Sequence, residues 1–231
     1  DMFTLALPHA KKLGHIRASA FVIKAFANVA GSYPEYEDEL ILGICKNADY
    51  LLGELAVNSA RSWHWFDDYL GYNNAIVPEA LFIAGNATGN TKYSDGGRTS
   101  LSFLIGKTFS NNRYMPIGHT RWYKRNQSRS SFDQQPEDPA SMILALVTAY
   151  KITHDEVYRS LSAICFSWFL GNNSLQLPLY NFVNGGCFDG LHPDRVNLNQ
   201  GAESLVSYLL ARLAVDKLFL YENTTDKKYI S

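Results

Sequence analysis

Aromatic, carboxylate, amide and glycine residues concentrate in four short stretches of this 231-residue chain. The stretches are WHWFDDYLGYNNA (63–75), RWYKRNQSRSSFDQQPEDP (121–139), WFLGNNSLQLPLYNFVNGGCFDGL (168–191) and NLNQGAES (197–204). A sugar offers C–H faces that stack on aromatic rings and hydroxyl groups that pair with amides and carboxylates. Binding residues concentrate in loops held by a rigid frame. The pattern therefore predicts a carbohydrate site on such a frame.

Carboxylates in these stretches are the candidate catalytic residues, because a glycosidase needs one protonated and one ionised carboxyl group. They are Asp67, Asp68, Asp133 and Asp189, with Glu203 in reserve. Three of them also have structural explanations. Asp133 could cap a helix that starts near Pro136, Asp189 could serve a turn, and Glu203 could complete a capping box with Asn199 as cap. Burial and neighbouring charges decide which carboxyl is the acid.

Aromatic and amide residues in the same stretches are the candidate ligand-binding residues. The aromatic candidates are Trp63, Trp65, Tyr72, Trp122, Trp168 and Tyr180, and the amide candidates are Asn73, Asn74, Gln134, Gln135, Asn199 and Gln200. Asn73 or Asn74 could instead cap the helix that follows. Two consecutive glutamines behind an aromatic residue are awkward to bury unpaired, so hydroxyl recognition explains Gln134 and Gln135 better.

Composition and motifs argue against several other classes of function. The formal net charge is -1 with no basic stripe, so nucleic acid is not an expected partner. No apolar run approaches the roughly 20 residues of a membrane span, and the first residues lack a signal-peptide pattern. Three cysteines without a C-x-x-C pair indicate reduced thiols and a cytoplasmic setting. The chain has no zinc-ligand histidine spacing, nucleophile elbow or phosphate loop, so we expect no metal and no cofactor.

Apolar residues recur at helical spacing in seven segments, whereas strand-like alternation is nearly absent. The helical segments are 12–30, 36–57, 74–85, 91–108, 137–151, 154–170 and 201–220. Thr153 and Glu156 fit a capping box for the sixth segment, and a small hairpin fits within 175–197. We expect an all-α fold of antiparallel helical hairpins, with one domain over residues 1–220 and a polar tail over 221–231.

The best-defined pieces of the four stretches, FDQQP, WFLGNN, GGCFDGL and NQGAES, resemble a family of bacterial helical-toroid proteins. Its members are described as glycosyltransferase-like or glycosidase-related, and their shape is related to that of (α/α)6 glycosidases and sugar epimerases. The resemblance implies an (α/α) toroid or an arc of one. Because seven helices are too few for a six-hairpin barrel, we expect an arc or a missing N-terminal portion.

The resemblance also contains two departures from the family pattern. The family usually reads YDNA where this chain reads YNNA, so Asn73 replaces a carboxylate. The family also tends to carry an acid followed by alanine after FDQQP, whereas here Asp138 precedes Pro139. If the family chemistry uses the first of these acids, the present chain is impaired or only binds its ligand.

Three classes of function fit these observations, and all take a mono- or oligosaccharide as ligand. The first is a glycoside-processing enzyme that uses paired carboxylates on a mannose- or glucose-type glycan. The second is a non-catalytic glycan-binding or accessory domain of a larger glycosyltransferase, with further domains as partners. The third is an epimerase-like sugar isomerase, which requires a histidine acid–base pair; His64, His119 and His192 lie near the site stretches. A purely structural helical scaffold is the remaining interpretation.

Overall fold

The computed structural model describes residues 2–225 and the side chains of residues 2–219. Eight α-helices lie in this range: α1 Met2–Ala10, α2 Ile16–Val29, α3 Glu37–Asn58, α4 Ile76–Thr88, α5 Thr91–Thr108, α6 Glu137–Thr153, α7 Glu156–Phe166 and α8 Ala202–Thr225. The seven predicted helices are confirmed, and α1 is an additional helix that the periodicity did not indicate. No helix among the described residues is long and apolar enough to cross a membrane.

Within the described part of the chain, the β-strands form three antiparallel pairs of two residues each. The strands are β1 Tyr69–Leu70, β2 Phe109–Ser110, β3 Arg113–Tyr114, β4 Tyr123–Lys124, β5 Gly190–Leu191 and β6 Val196–Asn197. β1 pairs with β4, β2 with β3 and β5 with β6. The β5–β6 pair confirms the predicted hairpin. The other two pairs were not predicted, because two residues are too short to show alternation.

The described chain forms two compact units. The first unit contains residues 2–68 and 76–104, and the second contains residues 69–75 and 105–225. The prediction of one domain over residues 1–220 stays a prediction. Of the predicted tail, residues 221–225 continue α8, and residues 226–231 lie outside the described residues.

The first unit is built on α2, α3 and α4, which pack against one another. Gly43 in α3 allows the close approach of α2, because a Cβ there would lie 2.5 Å from the Phe26 ring. A buried carboxylate, Glu79 of α4, pairs with Lys24 of α2. A buried carboxylate needs such a partner to offset the loss of hydration.

Helix α6 is the centre of the second unit and packs against both α7 and α8. Its residues are buried on nearly all sides, including Met142, Ile143 and Leu146, as expected for a helix within a core. The next helix, α7, is capped by Asp155, which accepts a hydrogen bond from the Val157 amide at 3.0 Å. The predicted Thr153–Glu156 capping box is therefore wrong. Because α6 packs against both neighbouring helices, the residues of its first turn also have a fixed position in the second unit.

Gln134 joins the FDQQP segment to the hairpin that precedes α8. Its backbone exchanges two hydrogen bonds with Leu191, at 3.0 and 2.9 Å. Its side chain is 1% exposed and accepts a hydrogen bond from the Trp168 indole at 3.0 Å. The amide nitrogen donates to the Ser131 carbonyl and to the Ser174 hydroxyl. All of these contacts are internal, so Gln134 acts as a structural connection between distant segments.

We predict that Gln134→Ala lowers the free energy of unfolding by about 2–4 kcal/mol, because it leaves the buried Trp168 indole N–H without an acceptor and opens a cavity. Chemical denaturation measures this change. The matched control is Gln135→Ala, since Gln135 is the exposed neighbour and its loss should change stability by less than about 0.5 kcal/mol. Equal effects of the two substitutions would contradict the structural role of Gln134.

Candidate active site

A polar cleft of about 300 Å³ lies in the second unit, where α6 and α8 begin. Its lining includes Gln135, Glu137, Asp189, Asn197 and Glu203. The first turns of helices carry free N–H groups and a partial positive charge, which favour polar or anionic groups. The volume is at the small end of the range for ligand pockets. The cleft therefore suits a small polar molecule about the size of a single sugar ring.

Glu137 is the first residue of α6, and the pKa of its carboxyl group is raised above the ordinary value for glutamate. Partial burial is the largest cause that raises its pKa, and the charges of Asp138 and Glu203 raise it further. The charge of His119 and a hydrogen bond from Asn73 oppose this rise without cancelling it. A carboxyl group with a raised pKa can donate a proton closer to neutral pH than an ordinary carboxyl group can.

Glu203 lies in the first turn of α8, is exposed, and contributes to the same cleft as Glu137. Its negative charge is one of the causes of the raised pKa of Glu137, which places the two carboxyl groups within electrostatic reach of each other. Two carboxyl groups in different environments are the arrangement that general acid–base chemistry uses. Glu203 was the reserve candidate of the sequence analysis, and its catalytic role stays a proposal.

The Asp189 side chain forms hydrogen bonds with the residues at the start of α8. Its carboxylate accepts hydrogen bonds from the Gly201 amide and the Ser204 hydroxyl, each at 2.7 Å, and from the Asn199 side chain. Burial raises the pKa of Asp189, but these three hydrogen bonds outweigh it and the net pKa is lowered. Asn199 thus donates to Asp189 and does not cap α8, which corrects the expected cap. Asp189 lines the cleft as a fixed anion.

Asp138 and His119 form a buried pair beside Glu137. The Asp138 carboxylate is 4% exposed and lies 2.8 Å from Nε2 of His119. Its other oxygen accepts the backbone N–H of Asn73 at 2.9 Å. Burial lowers the pKa of His119, but the hydrogen bond to Asp138 and the charges of Asp138, Glu137 and Asp133 outweigh it, so the net pKa is raised. This pairing favours an imidazolium ion next to Glu137.

Asp133 forms a second carboxylate–histidine pair. Its Oδ1 lies 2.6 Å from Nδ1 of His192, and Thr120 adds a 3.3 Å hydrogen bond. The hydrogen bond from His192 is the main cause that lowers the pKa of Asp133. The alternative that Asp133 caps α6 is wrong, because the residue at the cap position is Pro136 and no side chain caps that helix. Asp133 is partly exposed and ionised, so it remains a candidate for ligand contact.

The predicted aromatic candidates separate into buried and open residues. Trp63, Trp65 and Trp168 are at most 3% exposed, which leaves no free face for a ligand in this structure. Tyr180 stacks on Tyr208, with ring centroids 4.6 Å apart. Two candidates in the second unit keep an open surface: Tyr72 at 45% and Trp122 at 36% exposure. Tyr72 lies beside His119, with 6.3 Å between ring centroids, so it is an exposed aromatic candidate next to the His119–Asp138 pair.

The remaining candidates also differ in surroundings. The Asn74 side chain bonds both the amide and the carbonyl of Gly71, which fixes its own loop. Gln200 is exposed, and Gln135 is exposed within the cleft lining. In the first unit, Asp67 is half-buried and Asp68 is exposed. The roles assigned to them in ligand binding and catalysis stay predictions.

Sequence reasoning did not place Glu137, Asp138 or His119 among the site residues. It explained the two acids as first-turn residues that suit the helix dipole, and it considered His119 only for an isomerase. One available signal was that α6 is apolar on almost every face. An acid at the start of such a helix is buried, and a buried acid needs a cationic partner. Cys187 is buried, and burial raises its thiol pKa to about 12, which disfavours the thiolate that a nucleophilic role would need.

The raised pKa of His119 predicts a pH-dependent stability. Its pairing with Asp138 stabilises the fold fully below the unfolded-state pKa of 6.5, and this contribution is lost as pH rises through the raised folded-state pKa. Thermal unfolding between about pH 5.5 and 9 should show a decline that His119→Gln removes. The control is His154→Asn, which also removes an imidazole. His154 is the C-cap of α6 and has a left-handed backbone, which asparagine tolerates. A decline that persists in His119→Gln would contradict the assignment.

Comparisons with known proteins show the fold of this chain. No protein-family model and no curated protein matches it. Among solved structures it is similar to a D-mannose isomerase, with a TM-score of 0.61 and 18% identity over 94% of this chain and 58% of that chain. It is also similar to a glycoside hydrolase family 76 mannosidase from Bacteroides thetaiotaomicron, with a TM-score of 0.56 and 13% identity over 91% of this chain and 56% of that chain.

The chain therefore spans less than three fifths of the length of these two structures. Identities of 18% and 13% establish a shared fold and leave activity to be argued from the site. Together with the eight helices, the similarity confirms the predicted all-α class built from helical hairpins.

Proposed function

We propose that the protein is a carbohydrate-processing enzyme for a mannose- or glucose-type sugar, with Glu137 and Glu203 as its proton-transferring pair. The observation that carries this proposal is the shared cleft. Both carboxyl groups line a space of about 300 Å³, and the pKa of Glu137 is raised partly by the charge of Glu203. Exposed Gln135 and the side chain of Asn197 supply polar groups for sugar hydroxyls.

Glycoside hydrolysis uses this arrangement directly. Protonated Glu137 donates its proton to the glycosidic oxygen as the bond from that oxygen to the anomeric carbon breaks. Ionised Glu203 takes a proton from water as the water oxygen bonds to the anomeric carbon. The carboxylate left on Glu137 is stabilised by the hydrogen bond from Asn73 and by the N-terminal end of α6. Nearby His119 supplies a positive charge that moderates the pKa of Glu137.

The names of the two similar structures support the sugar class, since one is a D-mannose isomerase and the other a mannosidase. A mannose-type sugar is therefore the first ligand to test. The acidic lining also bears on the ligand: the residues around the cleft include Glu137, Asp189 and Glu203 but no lysine or arginine. This charge disfavours phosphorylated sugars and sugar nucleotides, which carry negative charge.

Aldose–ketose isomerisation is the second candidate, and the His119–Asp138 pair is the observation that favours it. The carboxylate of Glu137 would take the proton from C2 and return it to C1. Imidazolium His119 would give a proton to the carbonyl oxygen on C1 and regain one from the hydroxyl on C2. The reaction consumes no further reactant. The raised pKa of His119 provides the protonated form that this route needs.

We predict that Glu137→Gln lowers the kcat of either reaction by about 10²–10⁴-fold and that Glu203→Gln does so for hydrolysis, because each substitution removes a proton-transferring group while preserving shape. Release of reducing sugar from mannosides and conversion of mannose to a ketose are the two assays. Glu156→Gln is the matched control, since Glu156 is also the first residue of a helix in the second unit and is exposed. Unchanged turnover in both cleft variants would contradict the proposal. Sugar binding without any turnover would indicate a glycan-binding domain.

Substitution of His119 separates the two reactions. Under hydrolysis, His119→Gln removes a positive charge near Glu137, so the pKa of Glu137 rises and the alkaline limb of the pH–rate profile moves to higher pH. Under isomerisation, the same substitution removes the acid and lowers kcat by about 10²–10⁴-fold at every pH. The pH profile of kcat/KM for the active substrate distinguishes the two. An unaltered profile with unaltered kcat would contradict both roles for His119.

A further inference from the structure

Trp122 and Tyr69 form an aromatic stack in the second unit, and neither residue lines the cleft. Their ring centroids lie 5.4 Å apart, and their ring planes differ by 15°. Trp122 is 36% exposed. Because Tyr69 covers one face of the indole, the exposed area belongs to the other face and the edges. An aromatic face that is open on one side and supported by a second ring can receive the C–H face of a sugar.

The backbone around Trp122 holds the indole in one position. Its φ of 59° lies in the left-handed region, which is rare for a bulky residue. Its N–H donates to the Gly118 carbonyl at 3.1 Å, and its carbonyl accepts the Ser130 N–H at 2.9 Å. The next residue, Tyr123, begins β4, which pairs with β1 and thereby with the strand that contains Tyr69. Backbone strain of this kind persists where the surroundings enforce it, and it concentrates at ligand-binding sites.

Two short segments connect the stack to the candidate active site. Tyr69 and Tyr72 lie three residues apart in one segment. His119 and Trp122 lie three residues apart in the other. Tyr72 contacts His119, with 6.3 Å between ring centroids, just as Tyr69 contacts Trp122 at 5.4 Å. His119 in turn lies 2.8 Å from Asp138, the second residue of α6, and the first residue of α6 lines the cleft. The Tyr72–His119 pair therefore links the stack to the side of the cleft.

We propose that the Trp122–Tyr69 stack binds a further sugar ring of a substrate whose first ring occupies the cleft. The cleft has a volume of about 300 Å³, which suits one ring, so a free monosaccharide would leave the stack unused. The substrate is then an oligosaccharide of mannose or glucose type, with one ring between the carboxyl groups and another on the open face of Trp122. This proposal rests on the proposed function given above and specifies its substrate.

The charges near the stack define the alternative occupant. Arg121 and Lys124 are exposed and flank Trp122 in the sequence, and a base of a single-stranded nucleic acid also stacks on an aromatic ring among basic residues. The carboxyl groups of Glu137 and Glu203 in the cleft disfavour a phosphate backbone. The formal net charge of -1 also provides no wider basic surface. A neutral glycan can occupy both the cleft and the stack without this repulsion.

The first test is a binding measurement that reports Trp122 selectively. The chain has four tryptophans, and Trp63, Trp65 and Trp168 are at most 3% exposed. A soluble quencher such as acrylamide therefore reaches mainly Trp122. We expect a mannose or glucose trisaccharide to protect the fluorescence from acrylamide, whereas saturating mannose or glucose does not. Equal protection by a monosaccharide, or protection by a single-stranded oligonucleotide in place of any trisaccharide, overturns the proposal.

The second test compares variants by calorimetry in a Glu137→Gln background, so that the trisaccharide is not consumed. Trp122→Phe keeps an aromatic face and Trp122→Ala removes it, while both retain a Cβ on the left-handed backbone. Phe182→Ala is the matched control, because Phe182 is an aromatic residue of the second unit with 69% exposure. The measured quantity is trisaccharide affinity divided by monosaccharide affinity, which a general disturbance of the fold would leave unchanged.

We expect this ratio to fall by about tenfold in Trp122→Ala, by less than about threefold in Trp122→Phe, and to stay unchanged in Phe182→Ala. In the turnover assays, Trp122→Ala should lower kcat/KM for a trisaccharide about tenfold more than kcat/KM for an aryl glycoside of one sugar ring. Equal ratios in Trp122→Phe and Trp122→Ala overturn the stacking role.

The outcomes separate this inference from the proposed function. Protection of Trp122 and a lowered affinity ratio in a protein that converts no sugar support the stack and overturn the proposed function. Turnover of a trisaccharide with Trp122 unprotected and the ratio unchanged overturns the stack and leaves the proposed function standing. A protein that binds no sugar overturns both, and turnover together with a lowered ratio supports both.

Discussion

The buried negative charge of Asp138 is the constraint on which the arrangement of the candidate site depends. A carboxylate that loses its hydration must recover the energy through hydrogen bonds and an opposite charge. Asp138 obtains these from the His119 side chain and the Asn73 backbone, which lie in two separate loops of the second unit. The pairing holds both loops at the start of α6, and the charge of Asp138 also raises the pKa values of His119 and Glu137.

Helical periodicity was sufficient to predict most of the fold, because most of the long helices bury one face and repeat apolar residues at the same spacing. Helix α1 escaped this reasoning: it has nine residues, contains Pro8, and leaves Met2 and Leu5 largely exposed. The strand pairs β1–β4 and β2–β3 were not predicted from the sequence, because their formation depends on contacts between loops. The division into two compact units also depends on which helices touch, and no local pattern records that.

Residues from three of the four predicted stretches line the cleft, and the structure separates the individual candidates by their burial. The FDQQP segment does lie beside the cleft, yet Gln134 is committed to internal hydrogen bonds whereas its neighbour Gln135 faces the open space. Trp168 is likewise enclosed, whereas Trp122 is 36% exposed. Residue type indicates what a side chain can bind, but burial decides what is free to bind, and burial is set by segments that are distant in sequence.

The same reasoning explains how one small region can hold several carboxyl groups with different properties. Asp133 and Asp189 receive hydrogen bonds from His192 and from the start of α8, so their pKa values fall and they remain anions that organise loops. Glu137 is more buried and faces other negative charges, so its pKa rises. The two aspartates, which accept several hydrogen bonds, thus hold the loops around the cleft in place. Fewer hydrogen bonds favour the charged form of Glu137. Groups that must change charge during a reaction need this weaker preference for the charged form, whereas groups that hold a structure need their charge to stay constant.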